Sequence, residues 1–200
     1  MREIIVDRLR DATDVVISHF HGDHIPLDNA NPYQLALKNV EDLLQRPRVW
    51  MKCERGETPH VAERRGVLLA AIKHPPQPCD GLSAGPLVFS EPRPHGPGHS
   101  PMGTVMMTRI QEGNEVFVHA SDIQLLADEP VARILEWSPT MLITSGPAMY
   151  RNLSTEELSR ARERALELAR HIPICVIDHH LLRCRIERYI QQDKKIGAEE

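Results

Sequence analysis

The sequence predicts an α/β or mixed-layer protein whose helices lie outside a sheet. Short apolar, β-branched runs recur along the chain and alternate with segments of helical periodicity. Near the centre, the strand-like segments 103–110 and 115–121 are separated by the turn sequence QEGN, which predicts a β-hairpin. No long linker interrupts this pattern, and a chain of 200 residues can bury a core of its own. We therefore expect a single domain over residues 1–200.

The first part of the chain contains one buried strand and three predicted helices. Apolar residues at helical spacing predict a short amphipathic helix over residues 3–12. The β-branched run at 15–17 predicts a buried strand. Asn-Pro at 31–32 and Thr-Pro at 58–59 each join an N-cap residue to a proline at the first helical position, and so predict two further helices. We expect the first of these to continue until Pro47 stops it.

The second part begins with a proline-rich stretch. Residues 74–103 hold many prolines and several glycines, which predicts loop with one embedded strand at 87–90. After the hairpin, Ser154 and Glu157 form a capping box that predicts a helix start. The elements expected beyond the hairpin are a helix over 130–137, a strand over 140–145, a helix over 155–170 and a buried strand over 174–178.

The composition is that of a globular protein and argues against several classes. The net charge of −4 provides no basic patch, so nucleic acid is not favoured as a partner. No apolar run is long enough to span a bilayer, and the N-terminal segment lacks a signal-peptide core. The four cysteines form no C-x-x-C pair, which fits a reducing compartment. We expect a cytoplasmic protein that acts on a small molecule without membrane contact, with a homo-oligomer left open.

A cluster of metal-binding side chains follows the first predicted strand. His19, His21, Asp23 and His24 form the pattern H-x-H-x-D-H in the segment VVISHFHGDHIPL. Imidazole and carboxylate are ligands that suit zinc and related divalent ions. A loop directly after a strand is where α/β folds place their chemistry. This position disfavours the alternative of a solvated, histidine-rich loop without metal. The sequence therefore predicts a metal site here.

Further candidate ligands follow other predicted strand ends, as a site built at one edge of a sheet requires. These candidates are His95 and His99, then Asp122, and finally His179 and His180. Pro94 and Gly96 fix the backbone around His95, which favours it as a ligand over His99, more typical of a solvated turn. Asp122 lies just beyond its strand, which favours a ligand role over a simple helix cap.

The other histidines differ in how far their sequence context supports metal binding. If the last strand continued through His179 and His180, their side chains would point to opposite sides, so only one of them would bind metal. His119 alternates with apolar residues inside a predicted strand, so we expect it to pack rather than to bind. His60, His74 and His171 have no supporting context and are expected at the surface.

With these residues in place, the chain resembles the metallo-β-lactamase superfamily. H-x-H-x-D-H is the signature of that superfamily, and the downstream His, Asp and His follow in its order. More closely, the segments PHG at 94–96, GTVMMTRI, FVHASDIQ, SGP at 145–147 and DHHLLR at 178–183 resemble an uncharacterised prokaryotic branch of predicted metallo-hydrolases. The resemblance covers nearly all of residues 12–185 and implies an αββα sandwich with metals at one edge, between the sheets.

The resemblance also implies a ligand set for two metal ions. His19, His21 and His95 would hold one ion. Asp23, His24 and one of the two terminal histidines, His179 or His180, would hold the other. Asp122 would bridge both. Zinc is the expected metal, with manganese or iron as alternatives, because this ligand set tolerates all three.

The resemblance departs from the superfamily pattern at the start of the chain. Relatives carry several strands before the histidine motif, whereas this chain has only eighteen residues there. We therefore expect an N-terminally short version of the fold that lacks its first strands. An exposed sheet face or edge would then need cover from another chain.

The resemblance implies hydrolysis of an ester, amide or phosphoester bond. Two metal ions would activate a bridging water to hydroxide and would polarise the substrate oxygen. Asp122 would orient the hydroxide, and Asp23 would take part in proton transfer. The alternatives are a metal-dependent nuclease or phosphodiesterase, which the acidic composition disfavours, and a non-catalytic, truncated metal-binding protein.

Overall fold

A computed structural model gives the structure of the chain and describes residues 2–53, 57–74, 76–97 and 102–183. These residues form the mixed α/β structure that the sequence predicts. The helices are α1 (Arg2–Asp11), α2 (Pro59–Ala71), α3 (Asp128–Trp137), α4 (Thr155–His171) and α5 (His179–Leu182). The strands are β1 (Asp14–Ile17), β2 (Arg48–Met51), β3 (Gln77–Pro78), β4 (Ser83–Ala84), β5 (Leu87–Phe89), β6 (Arg93–Pro94), β7 (Thr104–Val105), β8 (Thr108–Glu112), β9 (Glu115–Ser121), β10 (Met141–Thr144) and β11 (Ile174–Ile177).

The described residues fall into two compact units. The first unit comprises those within Met1–Arg93 and Pro101–Thr108, and the second comprises those within Pro94–Ser100 and Arg109–Glu200. Each unit carries some of the predicted ligands. No helix in the described part of the chain is both long and apolar enough to cross a membrane.

The first unit is built on a small parallel sheet. Its strands run in the order β1-β2-β3, and β1 pairs with β2 over the whole length of both strands. One apolar cluster packs around them, because β-branched and leucine side chains from the sheet and from α2 are withdrawn from water. The buried members of that cluster are Ile17, Phe20, Ile25, Leu27, Leu37, Val40, Leu44, Val49, Met51, Leu68 and Ile72. The antiparallel pair β4–β5 belongs to the same unit.

The second unit places strands of like direction side by side. Strands β11, β10, β9 and β8 are neighbours in that order, and β10 runs parallel to both β9 and β11. Helices α3 and α4 connect these parallel strands and bury Ile134 and Leu168, both fully covered. Because parallel strands end at one edge, the segments after β9, β10 and β11 meet there.

Most of the predicted helices and strands are confirmed, and local signals in the sequence explain why they form. Thr58 caps α2 by accepting a hydrogen bond from the backbone N–H of Val61 at 3.4 Å, with Pro59 in the first turn. Ser154 and Glu157 form the predicted capping box of α4. The hairpin turn, the strands at 15–17, 87–89 and 141–144 and the helix α3 also lie where the sequence places them.

The helix predicted from residue 31 to Pro47 is wrong. Asn31 Oδ1 accepts from the backbone N–H of Tyr33 at 2.9 Å, but the chain continues as a turn and two short 3₁₀ segments, Leu37–Asn39 and Leu43–Gln45. The backbone N–H of Leu37 instead donates to the carbonyl of Leu27 at 2.8 Å. Pairing with an earlier segment thus takes up a group that an α-helix would use.

Three smaller expectations need correction. Strand β2 was not expected, although it pairs with β1. Among the apolar residues of the predicted amphipathic helix α1, Ile4 and Ile5 are 63% and 47% exposed, and the half-buried Val6 and Leu9 pack against the apolar cluster instead. Strand β11 is not fully buried, since Ile174 is 54% exposed. It lies at the end of the described strand order, where one side has no neighbouring strand among those residues.

Candidate metal centre

The first group of predicted ligands lies in a turn that we call the histidine turn (residues 18–24), directly after β1. The backbone carbonyl of Ser18 accepts from the N–H of Met106 at 2.9 Å, so the turn begins from an anchored strand end. The N–H of His24 then donates to the carbonyl of His21 at 3.0 Å and closes the turn. A Cβ on Gly22 would lie 3.1 Å from Leu27, so a larger residue would crowd the turn.

The three imidazoles of the histidine turn gather at one place. The ring centroid of His19 lies 4.6 Å from that of His21 and 4.2 Å from that of His24. His19 is buried and its Nδ1 lies 3.1 Å from the hydroxyl of Ser18, which fixes the ring. His21 and His24 are half-buried, and Asp23 is exposed. The turn therefore presents several metal-type ligands from one short stretch of chain.

The second group of predicted ligands lies at the carboxyl edge of the sheet of the second unit. Asp122 follows β9 and His179 and His180 open α5 after β11, with the loop after β10 linking them. The N–H of Ser145 donates to the carbonyl of Ser121 at 3.1 Å, and the N–H of His180 donates to the carbonyl of Ser145 at 3.1 Å. Two backbone hydrogen bonds thus tie the strand ends into one edge.

Asp122 lies at the centre of this group, which we call the Asp122 cluster (His95, Asp122, His179 and His180). Its Oδ2 lies 3.1 Å from Nε2 of His95 and 3.4 Å from Nε2 of His180. Its Oδ1 lies 3.5 Å from Nε2 of His179. Ligand atoms of Asp122, His179 and His180 all lie within 4.8 Å of one another, which is the spacing that a single metal ion requires of its donors.

The surroundings of His180 favour the form of histidine that binds metals. Burial lowers the pKa of His180 to about 4, and the attraction of Asp122 only partly opposes this effect. His180 is therefore a neutral imidazole near pH 7, so its contact with Asp122 is not an ion pair. Neutral imidazole is the metal-binding form. Tyr150 lies against the same ring, with a centroid distance of 5.8 Å.

The backbone around Asp122 is strained. Ser121, Gln124 and Leu125 have φ values of 55°, 57° and 58°, in the left-handed region that L-residues rarely adopt. Strain of about 1–2 kcal/mol for each such residue persists only where surrounding contacts enforce it. One of these contacts comes from Arg164 of α4, whose Nη1 donates to the carbonyl of Leu125 at 3.0 Å. Such strain is typical of functional loops.

The structure therefore accounts for the predicted site residues in two groups. His19, His21 and His24 come together in the first unit, with Asp23 beside them. His95, Asp122, His179 and His180 come together in the second. His119 is half-buried within β9, and His60, His74 and His171 are exposed, as expected. His99 lies outside the described residues.

The expectation that the side chains of His179 and His180 point to opposite sides is wrong. It required the last strand to continue, but β11 ends at Ile177 and α5 begins at His179. In a helix, successive residues do not alternate between two faces. The Nε2 atoms of both His179 and His180 consequently reach the carboxylate of Asp122.

Sequence reasoning missed a buried charged group beside the histidine turn. Lys52 follows β2, is only 1% exposed and donates to the carbonyl of Cys53 at 2.7 Å. The side chain of Glu57, which is 6% exposed, lies nearby and pairs with Arg65 at 2.9 Å. Lys52 and Glu57 line a small cavity with His19 and His21. Burial lowers the pKa of Lys52. Lys52 was not singled out from the sequence, because strand β2, which it follows, was not expected.

A second missed residue is Gln124, which is buried against His95. Its Nε2 lies 3.1 Å from Nδ1 of His95. The residue stands in the segment FVHASDIQ that carries part of the resemblance, so its position was visible in the sequence. Its role was not visible, because the contact joins residues 29 positions apart.

The described residues form a mixed α/β protein with His and Asp clusters that could hold a divalent metal ion. No family model matches the chain. It is similar to the UPF0282 protein of Methanosarcina mazei, with 42% identity over 184 residues, covering 92% of this chain and 60% of the relative. The UPF0282 protein of Methanopyrus kandleri is 31% identical over 192 residues, covering 89% of this chain and 66% of the relative.

A third relative gives the same result. The UPF0282 protein of Thermococcus gammatolerans is 31% identical over 203 residues, which cover 92% of this chain and 65% of the relative. The chain thus spans less than two thirds of the length of each of these relatives. Their shared name states neither a substrate nor a reaction.

Proposed function

We propose that the chain is a metal-dependent hydrolase that binds two divalent ions and cleaves an ester, amide or phosphoester bond in a small molecule. The observation that carries this proposal is the Asp122 cluster. Burying a carboxylate with three imidazole nitrogens within 3.5 Å of it costs free energy, because these polar groups are desolvated. A bound ligand would offset that cost. The H-x-H-x-D-H pattern of the histidine turn supports the same chemistry.

The residues present fit a pair of divalent metal ions. Imidazole nitrogens and carboxylate oxygens are the donors that zinc takes, with manganese or iron as alternatives. His180 is neutral near pH 7 and so has a lone pair to offer. The two oxygens of Asp122 face different histidines, Oδ2 towards His95 and His180 and Oδ1 towards His179. This division suits a carboxylate that is shared by two ions.

The proposed assignment of ligands follows the resemblance residue by residue. His19, His21 and His95 would hold one ion. Asp23, His24 and His179 or His180 would hold the other, and Asp122 would serve both. When bound, such ions lower the pKa of water and polarise a carbonyl or phosphoryl oxygen.

The protein's own side chains orient the reactants and move protons. Asp122 is buried and fixed by its histidines, so it can accept a hydrogen bond from the attacking water in one orientation. Asp23 is exposed, so its carboxylate can exchange a proton with solvent. Tyr150 lies against His180 and is 43% exposed, which places a hydroxyl-bearing ring where a substrate can reach it.

We also propose the metallo-β-lactamase sandwich as the finer description of the fold, and the cytoplasm as the location. The sheet of the second unit supports the first proposal, because its chemistry-bearing residues follow the carboxyl ends of parallel strands. The free thiols of Cys53, Cys79 and Cys175 support the second. A homo-oligomer stays a prediction.

Metal analysis with a substrate panel tests the proposed function. The purified chain is dialysed against zinc, then manganese, then iron(II), and bound metal is measured by elemental mass spectrometry. Hydrolysis is followed with p-nitrophenyl acetate, nitrocefin and bis-p-nitrophenyl phosphate. We expect close to two ions per chain and metal-dependent turnover of at least one probe. The UPF0282 protein of M. mazei, a longer relative, is measured in parallel for comparison with this chain.

Each result separates the proposal from its alternatives. Absence of stoichiometric metal would end the proposal for this chain, whatever the relative does. Two bound ions without turnover of any probe would favour the non-catalytic metal-binding protein. Turnover confined to the phosphodiester would favour the phosphodiesterase or nuclease, and digestion of a labelled oligonucleotide would then distinguish those two.

A further inference from the structure

We propose that Gln124 is a positioning residue that supports His95 in either tautomer, by donating to a bare Nδ1 or accepting from Nδ1–H, and thereby lets Nε2 be offered to a metal ion. This inference rests on the proposed function, because it assigns a role within the same centre. No feature of the H-x-H-x-D-H pattern or of the downstream ligands points to this glutamine. The geometry of the second unit points to it.

Gln124 and Asp122 hold the imidazole of His95 from both of its nitrogens. Nε2 of Gln124 lies 3.1 Å from Nδ1 of His95, and Oδ2 of Asp122 lies 3.1 Å from Nε2 of His95. All three side chains are about 1% exposed, so water does not compete for these contacts. A ring held at both nitrogens has no rotational freedom left.

When His95 carries a single ring proton, its two contacts favour one tautomer. A carboxylate can only accept, so in that tautomer Nε2 of His95 donates to Asp122. A neutral imidazole then has a bare Nδ1, which accepts from the amide N–H of Gln124. In this arrangement the lone pair of Nε2 is not available to a metal ion.

Binding of a metal at Nε2 requires the opposite tautomer. The ring proton must then reside on Nδ1, which becomes a donor and needs an acceptor. A glutamine amide offers both functions on one planar group, so a half-turn about its terminal bond brings Oε1 to Nδ1 in place of the N–H. The ring keeps one proton throughout, and the Nδ1–H···Oε1 contact increases the basicity of Nε2.

The surroundings hold the amide where it can act. The backbone of Gln124 adopts a φ of 57°, which places it in the strained loop after Asp122. A Cβ on Gly96, the residue after His95, would lie 3.4 Å from Oε1 and 3.6 Å from Nε2 of Gln124. The amide of Gln124 therefore lies within van der Waals reach of a side chain at position 96, directly after His95.

Two substitutions at this position separate the donor from the acceptor function. Gln124→Glu keeps an acceptor for Nδ1–H and removes the amide donor, so it should lock His95 in the metal-binding tautomer. Gln124→Met keeps the length of the side chain but offers neither function. Gln111→Met is the matched control, because Gln111 is exposed on β8 and its amide contacts Gly113 rather than an imidazole.

Two readouts are measured for each variant. Zinc affinity is determined by competition with a chromophoric chelator. The tautomer of His95 in the metal-free protein is read from long-range ¹H–¹⁵N spectra, with the ring identified by its loss in His95→Gln. We expect zinc binding to weaken about 10–100-fold in Gln124→Met and to stay within a few-fold of the parent in Gln124→Glu and Gln111→Met. The parent should show the Nε2–H tautomer and Gln124→Glu the Nδ1–H tautomer.

The outcomes distinguish this inference from the proposed function. If the parent binds no zinc, the proposed function fails, and the tautomer of Gln124→Glu alone decides the role of Gln124. If Gln124→Glu shows the parent tautomer, the role is wrong even where metal binds. Equal zinc affinity in the parent and Gln124→Met would also overturn it, as would a loss in Gln124→Glu as large as that in Gln124→Met. Circular dichroism confirms that each variant is folded.

Discussion

The histidine turn and the Asp122 cluster present the same kinds of side chain but are built in opposite ways. The histidine turn takes its ligands from a single stretch after β1, so one strand end and one turn suffice to gather three imidazoles. The Asp122 cluster takes its ligands from three segments between residues 95 and 180. The positions of Asp122, His179 and His180 within it depend on the parallel arrangement of β9, β10 and β11.

Because of this difference, the two groups are sensitive to substitutions at different places. A locally encoded turn depends on its own residues and on the few that support it. A cluster assembled by a sheet depends on contacts remote in sequence, such as the hydrogen bond from Ser145 to Ser121 and the bond from Arg164 to Leu125. We therefore expect changes outside the ligands to affect the Asp122 cluster more than the histidine turn.

The largest effect is expected at Asp122. Asp122→Ala removes the carboxylate that all three histidines of the cluster contact, so metal affinity should fall by more than about 100-fold, beyond the 10–100-fold that loss of an outer partner causes. Turnover should be lost with it. Asp23→Ala, in the exposed part of the histidine turn, should cause a smaller loss. Chelator competition and hydrolysis assays measure both.

Two further variants serve as controls for Asp122. Asp122→Asn keeps the size of the side chain and should also lose metal, which separates charge from volume. Glu112→Ala removes an exposed carboxylate on β8 and should change nothing. Retained metal and turnover in Asp122→Ala would remove Asp122 from the shared position.

A glycine away from the ligands provides the next test. Gly146, after β10, has a φ of 71°, and a Cβ there would collide with Ile177 and lie 3.4 Å from Cβ of Leu181 in α5. Gly146→Ala should therefore cost about 1–3 kcal/mol from overpacking, in addition to about 1–2 kcal/mol for the left-handed backbone. It should also displace His179 and His180 and weaken metal binding. Urea unfolding and chelator competition measure the two effects.

Gly113 is the matched control for this test. Its φ is 58°, but a Cβ added there would meet no atom of the other described residues within 4 Å, apart from its own chain neighbours. Gly113→Ala should therefore show the backbone cost alone. Equal losses in the two variants would mean that crowding by Ile177 has no part in holding α5.

The smallest effect is expected at the start of α4, the helix that leads into β11. Ser154→Ala removes a capping box in which Oγ accepts from the N–H of Glu157 at 3.1 Å, so it should lower the free energy of unfolding by about 1 kcal/mol. Ser159→Ala, on the exposed side of the same helix, should be nearly neutral. Urea unfolding checks both, and similar values for the two would contradict the importance of the cap for this helix.

Elements with strong local signals were predictable from the sequence, and elements decided by long-range pairing were not. Thr58 and Ser154 mark helix starts because a capping side chain satisfies N–H groups of its own helix. The Asn-Pro pair at 31–32 carries a similar signal but leads into a turn, since the backbone of Leu37 bonds to Leu27 instead. Strand β2 was missed because its partner is β1, more than thirty residues earlier.

The candidate site divides along the same line. His19, His21, Asp23 and His24 could be identified from spacing alone, and His95 and Asp122 from their positions after strands. Gln124 could not, because its partner is brought to it only by the folded loop. That both His179 and His180 contact Asp122 could not be predicted either, because it depends on the end of β11 at Ile177.

The mixed α/β class, the capped helices and the chemical kinds of the candidate ligands could all be predicted from the amino-acid sequence. These follow from short-range forces: side chains that cap their own helix, β-branched runs that favour strands, and donors spaced within one turn. Tertiary structure decided which donors meet, the strained backbone around Asp122 and the contact between Gln124 and His95. The physical reason is that parallel strands bring distant segments to one edge, and only burial there fixes their distances.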